Sequence, residues 1–272
     1  MHPNHKGLSV AVNGATISYE DTGGSGMPVI FIHGFPFSKS TWKPQIEFLK
    51  KQYRVIAYDI RGFGSSTLGD EVTSIDLFAT DLVQFMDVLK ISKAVVCGLS
   101  MGGYILMNAV SRFPERFEAI ILSDTQCIAD SNEAREKRNQ TIDQIEAKGL
   151  KEFAEAYVKN MFTVQTLENK KEVVEEVKQI ILATSPQSIT ATLKALAHRR
   201  ESCTLLKHVS VPALIICGKE DTVTPLSQSE LLFNTLGDAQ LHTIDNAAHL
   251  SNLEQPKIFN EHIHNFLPGF IS

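Results

Sequence analysis

Residues 94–113 read AVVCGLSMGGYILMNAVSRF. The run Ala94–Cys97 is continuously apolar, as expected of a strand covered on both faces. The stretch from Ser100 to Ser111 spaces its apolar residues as a helix does. Between them stands Gly98-Leu99-Ser100-Met101-Gly102. A strand that turns straight into a helix holds its middle residue on a tight bend, with the side chain pushed outward. Strand and helix backbones pass close together at such a bend, so only small residues fit two positions either side. Gly98 and Gly102 meet that demand. The new helix also offers unpaired N–H groups, which favour developing negative charge. Ser100 is therefore the candidate nucleophile. The plainer alternative is a serine that caps the helix.

Further apolar runs flank this unit. Upstream lie PVIFIHG from Pro28 and RVIAYDI from Arg54, and downstream FEAIILSD from Phe117. Helical patterns separate them at Thr41–Lys51 and at Ser74–Leu89. Strand alternating with helix argues for a parallel sheet with crossover helices. Ahead of these, Leu8–Val12 and Ala15–Glu20 flank Asn13-Gly14, a hairpin signal. The alternation stops after Asp124. Residues from about 132 to about 200 are rich in Glu, Lys and Gln and read as three or four helices, broken near Gly149, Asn169 and Ser185-Pro186. Strands return at PALIICG from Pro212 and AQLHTID from Ala239, with helices near Ser227–Leu236 and Gln255–Phe266. The expected fold is thus α/β: a mostly parallel central sheet flanked by helices, with an inserted helical lid. The core is 1–125 and 206–272, and the lid is 126–205. An insertion after a strand sits over the carboxyl edge of the sheet, where open α/β sheets bind ligands.

A serine hydroxyl needs a base, and the base needs an orienting acid. Asp221 follows one late strand in Gly218-Lys219-Glu220-Asp221, and His249 follows the next in Asn246-Ala247-Ala248-His249. Both fall just past strand ends, on the edge that carries Ser100. Asp124 follows an earlier strand and is the rival acid, and Glu220 is a weaker one. The other histidines lie in the amino-terminal tail, within or before strands, on the last helix or in the insertion. An anionic intermediate would need two backbone donors. Met101 is expected to give one, and Phe35, in Phe31-Ile32-His33-Gly34-Phe35-Pro36, the other. His33 is expected to hold that loop by a hydrogen bond. Leu150, Phe153, Tyr157, Met161 and Phe162 are spaced to share one helix face. Tyr157, Met161 and Phe162, with Phe37, are the candidates for a substrate-binding wall. The glycine-rich turn Asp59–Ser66 lacks a phosphate-loop pattern and reads as structural, with an Asp–Arg contact.

The chain has 272 residues and a net charge of -5 at pH 7, which gives no basic footprint for nucleic acid. Nowhere do about 20 apolar residues run together, so no membrane span is expected. The start, MHPNHKGLSV, carries no secretory pattern. Four cysteines, 97, 127, 203 and 217, show no metal-ligand spacing and are expected as four reduced thiols. A cytoplasmic protein is the expectation, with no metal and no cofactor.

Taken together, HGFPFS, DIRGFGSS, GLSMGG, GKED and AAHLSNLEQP resemble the α/β-hydrolase superfamily in order and spacing, over essentially the whole chain. HGFP, SDTQCIAD and HLSNLEQP look most like the 3-oxoadipate enol-lactonases and related small carboxylesterases. Non-haem haloperoxidases, which act as perhydrolases, share many of the same features. The resemblance implies a Ser100–His249–Asp221 triad acting on a small ester or lactone through an acyl-enzyme. A serine at position 100 disfavours epoxide hydrolases and haloalkane dehalogenases, which use aspartate there. A ligand receptor with little turnover is the alternative from another class. A fold does not fix a substrate.

Overall fold

The computed structural model describes residues 5–270; Met1–Asn4, the first residues read for a secretory pattern, lie outside them. Eight strands form one sheet: β1 (His5–Val12), β2 (Ala15–Asp21), β3 (Val29–Ile32), β4 (Val55–Tyr58), β5 (Ala94–Leu99), β6 (Phe117–Ser123), β7 (Ala213–Gly218) and β8 (Ala239–Ile244). Their order across the sheet is β1-β2-β4-β3-β5-β6-β7-β8. The β1/β2 and β2/β4 pairs are antiparallel, and every pair from β4/β3 onward is parallel. The hairpin turns at Asn13 (φ 43°) and Gly14 (φ 75°), the left-handed pair that a two-residue hairpin requires. Strands β3, β4, β5 and β7 are buried along their whole length. Their apolar runs are continuous because helices cover both sheet faces.

The core helices are α1 (Lys43–Leu49), α2 (Ile75–Val88) and α3 (Met101–Arg112) before the insertion. Ser74 caps α2, its hydroxyl accepting the Leu77 N–H. The insertion between β6 and β7 holds α4 (Asn132–Lys148), α5 (Lys151–Lys159), α6 (Val164–Asn169), α7 (Lys171–Ala183), α8 (Pro186–Ala197) and the short α9 (Cys203–Leu206). After β7 come α10 (Leu226–Thr235), α11 (Ser251–Glu254) and α12 (Pro256–Phe266). No helix among the described residues is long and apolar enough to cross a membrane.

Three expectations are corrected here. The insertion has more helices than the three or four read from sequence. The missed break is Asn160–Thr163, where Thr163 caps α6 by accepting the Thr166 N–H. Met161 and Phe162 continue the apolar spacing of α5 straight through this break, which hid it. Second, Arg61 pairs with Asp81 rather than with its neighbour Asp59 (Nε–Oδ2 2.8 Å, both side chains buried). Asp59 instead takes Lys39 and the Ser65 N–H. Breaking a buried pair such as Arg61–Asp81 costs about 3–5 kcal/mol, because one charge is left without a partner. Third, the four thiols are not all free. Cys127 and Cys203 are disulfide-bonded with Cα atoms 5.0 Å apart, 76 residues apart in the chain. They stand at the entry and the exit of the insertion. Cys97 and Cys217 are free and buried.

Candidate active site

Ser100 sits at the carboxyl end of β5 with φ 51° and ψ −112°, a backbone region that costs a non-glycine residue of order 1–3 kcal/mol. The local sequence explains how this is held. A Cβ on Gly98 would overlap the Gly102 carbonyl, and one on Gly102 would overlap the carbonyl of Ile32 in β3. The two glycines let α3 start directly against the sheet. The Ser100 N–H donates to Ser123 O (2.9 Å), and the Thr125 hydroxyl donates to Ser100 O (2.8 Å). The bend is thus tied to the end of β6 and to the residues just after it.

The side chains form an unbroken hydrogen-bonded chain. Ser100 Oγ lies 2.8 Å from His249 Nε2, and His249 Nδ1 lies 2.8 Å from Asp221 Oδ2. His249 is fully buried, and Ser100 keeps 9% of its surface exposed. Asp221 also accepts the Thr224 hydroxyl on Oδ2 and the Val223 and Thr224 N–H groups on Oδ1. Burial pushes the Asp221 carboxyl upward, but the His249 charge and these hydrogen bonds outweigh it and hold it below the usual carboxylate value. Burial likewise pushes His249 down, and the Asp221 charge and hydrogen bond more than reverse this, so its pKa is raised.

The rival acid, Asp124, stands close by in another role. Its Oδ1 accepts the Gly218 N–H, and its Oδ2 accepts the Ser123 and Ser251 hydroxyls. It therefore joins the ends of β6 and β7 to the segment after His249. Burial, followed by the charge of Asp221, raises its pKa to about 7.

Both residues expected to give backbone donors, Phe35 and Met101, line the same cavity as Ser100. Met101 is the first residue of α3, so its N–H has no partner inside the helix. The Phe35 N–H makes no hydrogen bond among the described residues. Gly34 lets the loop lie against the serine bend: a Cβ there would stand 3.3 Å from both Leu99 O and Ser100 Cβ. His33 braces the loop as expected, its Nδ1 bonding Gly34 O (2.8 Å) and its Nε2 accepting the Ile60 N–H (2.9 Å). Burial drives its pKa down to about 4, which suits a neutral ring with one accepting nitrogen.

Above Ser100 lies a cavity of about 450 Å³ between the core and the insertion. Phe35, Ser100, Met101, Tyr104, Phe153, Tyr157 and Met161 line it, with Leu193 and Leu196 from α8. Lys137 and Arg138 of α4 are the cations on its wall. Of the four candidate wall residues, Tyr157 and Met161 are there. Phe37 and Phe162 are not, and the expectation for them is corrected. Phe37 is fully buried behind Tyr157, with ring centroids 6.2 Å apart. Phe162 lies within the missed break after α5 and packs into the core, 5% exposed. Tyr157 does more than line the wall. Its hydroxyl, kept protonated by burial, donates to Phe35 O (2.9 Å), so the insertion grips the residue expected to donate to the oxyanion.

Sequence reading missed two further residues. Glu254 is fully buried, and its carboxylate accepts the Ala248 N–H on one oxygen and the Thr163 N–H and hydroxyl on the other. Leu250 N–H donates to Met161 O (3.1 Å). The insertion is thereby fastened to the residues on both sides of His249. Arg138 is the second. Its carboxylate partner Asp130, just before α4, is shared with Arg199 of the α8 end. A buried Glu inside HLSNLEQP and an Arg in a charged helix carry no local signal that marks them.

The alpha/beta hydrolase fold family matches residues 27–256, and the chain belongs to it. It is similar to a 3-oxoadipate enol-lactonase of Acinetobacter baylyi, 30% identical over 261 residues that span 96% of this chain and 94% of that protein. Among solved structures it is similar to a thermophilic esterase from Thermogutta terrifontis with malate bound. The TM-score is 0.91 at 33% identity, covering 98% of this chain and 99% of the other. An enol-lactonase from Burkholderia xenovorans LB400 gives a TM-score of 0.90 at 27% identity, covering 96% and 100%. These relatives bear out the superfamily reading made from the motifs.

Proposed function

We propose that this hydrolase cleaves a small carboxylic ester or lactone through an acyl-enzyme on Ser100. The observation that carries the proposal is the Ser100–His249–Asp221 chain of 2.8 Å contacts opening into the cavity. His249 Nε2 takes the hydroxyl proton as Ser100 Oγ attacks the carbonyl carbon. The carbonyl oxygen becomes anionic and is held by the Met101 and Phe35 N–H groups, donors worth several kcal/mol in a site of this kind. His249 then gives its proton to the departing oxygen. A water, deprotonated by the same imidazole, cleaves the acyl-enzyme and restores Ser100. Asp221 fixes the ring with Nδ1 protonated and stabilises the transient imidazolium.

The wall supports the choice of substrate. It is mostly apolar, as pockets for small organic molecules are, and bears Lys137 and Arg138 but no carboxylate. Such a wall suits an ester or lactone that carries its own carboxylate, the kind of molecule named by the enol-lactonase relatives. The test is a panel of short esters and lactones, with and without a carboxylate, on the wild type and Ser100→Ala. We expect turnover that favours the carboxylate-bearing lactones and falls by roughly 10⁴–10⁶-fold in Ser100→Ala. Near-normal turnover in the purified variant would exclude the serine nucleophile.

A further inference from the structure

A second cleft, of about 430 Å³, opens on the far side of Tyr104 from the catalytic cavity, where the end of α8 meets the start of α2. Tyr104 is a wall of both spaces. Lys194, His198 and Arg200 lie along the outer cleft and are exposed. Neither Lys194 nor Arg200 pairs with a carboxylate among the described residues. The one acid on the wall is Asp76, whose Oδ1 is taken by Asn108. Ile75, Ile128, Ala195 and the Tyr104 ring give the wall its apolar surface, beside the polar Ser74, Asn108 and Gln126. A partly apolar slot edged by unpaired cations is complementary to one kind of small molecule, an organic anion with a hydrocarbon body.

The cleft is wired to the catalytic cavity. Arg199, on its wall, has a side chain only 3% exposed. Its guanidinium stacks 4.4 Å from the Tyr104 ring centroid and donates to Asp130 Oδ1. Asp130 also holds Arg138, which faces the catalytic cavity. The two arginines share one carboxylate, so what draws on Arg199 changes what Asp130 offers Arg138.

We propose that this cleft is a second binding site for a small organic carboxylate, and that its occupancy weakens the hold of the catalytic cavity on anionic substrates. A carboxylate in the cleft competes with Asp130 for Arg199. Asp130 then turns more fully to Arg138 and neutralises it. The binding half stands on the cleft alone. The regulatory half rests on the ester or lactone hydrolase reading, under which the product is itself a carboxylate and can act back on its own formation.

The probe is 4-bromobenzoate, measured by calorimetry on the full chain, in the wild type and in a Lys194→Ala/Arg200→Ala double variant. The same titration is repeated after Ser100 is blocked with a small alkyl phosphonate, and crystals are soaked for bromine anomalous scattering. We expect binding that survives the block, bromine beside Tyr104 in the outer cleft, and affinity about ten-fold lower in the double variant, from two partly exposed ion pairs. We also expect the probe to raise KM several-fold for an anionic ester, to leave a neutral ester unchanged, and to lose this effect in the double variant. Binding abolished by the phosphonate, bromine only in the catalytic cavity, or equal affinity in the double variant would overturn the site. Equal probe effects on anionic and neutral esters would overturn the coupling. Failure of the phosphonate to label Ser100 would count against the nucleophile reading instead, and the bromine position would still decide the site.

Discussion

Replacing Asp221 and Asp124 separately by Asn separates two buried carboxylates that lie near the same imidazole. Asp221 Oδ2 meets His249 Nδ1 at 2.8 Å, and the Thr224 hydroxyl also donates to that oxygen. Oδ1 is committed to two backbone N–H groups. An Asn side chain must keep its carbonyl oxygen toward those two N–H groups, which turns its NH₂ toward His249. The ring then protonates on Nε2 to accept at Nδ1, and Nε2 no longer takes the Ser100 proton. The wrong tautomer costs on the order of 10⁴-fold in kcat. Asp124 differs. Its Oδ1 accepts Gly218 N–H, and its Oδ2 faces two hydroxyls, those of Ser123 and Ser251. An Asn keeps the first bond, and hydroxyls can turn to accept from its NH₂. The change also removes a buried carboxyl raised to about 7 by burial and by Asp221, so no charge is left unpaired. We expect Asp124→Asn to lose no more than about ten-fold, the scale of one hydrogen bond readjusted. The assay is kcat/KM on a chromogenic short-chain ester, with circular dichroism melts to show both variants folded. A larger loss in Asp124→Asn than in Asp221→Asn would refute the assignment and place the catalytic acid after β6.

Tyr157→Phe should lower kcat about five- to ten-fold with little change in KM, since it removes only the bond to Phe35 O that positions the expected oxyanion donor; an unchanged kcat would disconnect the insertion from the chemistry. Met161→Ala should widen the cavity and shift the preferred acyl length, whereas Phe162→Ala should cost about 3–5 kcal/mol of stability from a core position and leave the length preference alone. Activity against pH should rise through a pKa above 6.5, because the proposed base, His249, must be neutral to take the Ser100 proton and Asp221 holds its pKa raised. Stability should respond to acid through His33. Its folded pKa of about 4 lies below the free value of 6.5, so the unfolded chain binds the proton first. Stability is then lost as pH falls from 6.5 to 4, by about 3 kcal/mol. Urea titrations at pH 7 and pH 5 should show about 2 kcal/mol of the loss, and His33→Asn should flatten it; the same slope in both proteins would exclude His33 as its source.

The parallel core and the candidate triad were legible in the sequence because each is written in contiguous residues. Apolar runs mark strands buried on both faces, and Gly98 and Gly102 mark a bend that tolerates no Cβ. Asp221 and His249 could be placed because each closes a strand, and parallel strands bring all their carboxyl ends to one edge. The tertiary structure decided what depends on residues far apart in the chain. It paired Arg61 with Asp81 rather than Asp59, and Cys127 with Cys203 across 76 residues. It put Phe37 and Phe162 behind the cavity wall, and used Glu254 to fasten the insertion beside His249. Periodicity tells which residues turn away from water, since burial follows the repeat of a strand or helix. It does not tell which buried surface meets a cavity or which charges meet each other, since those depend on how separate elements pack in space.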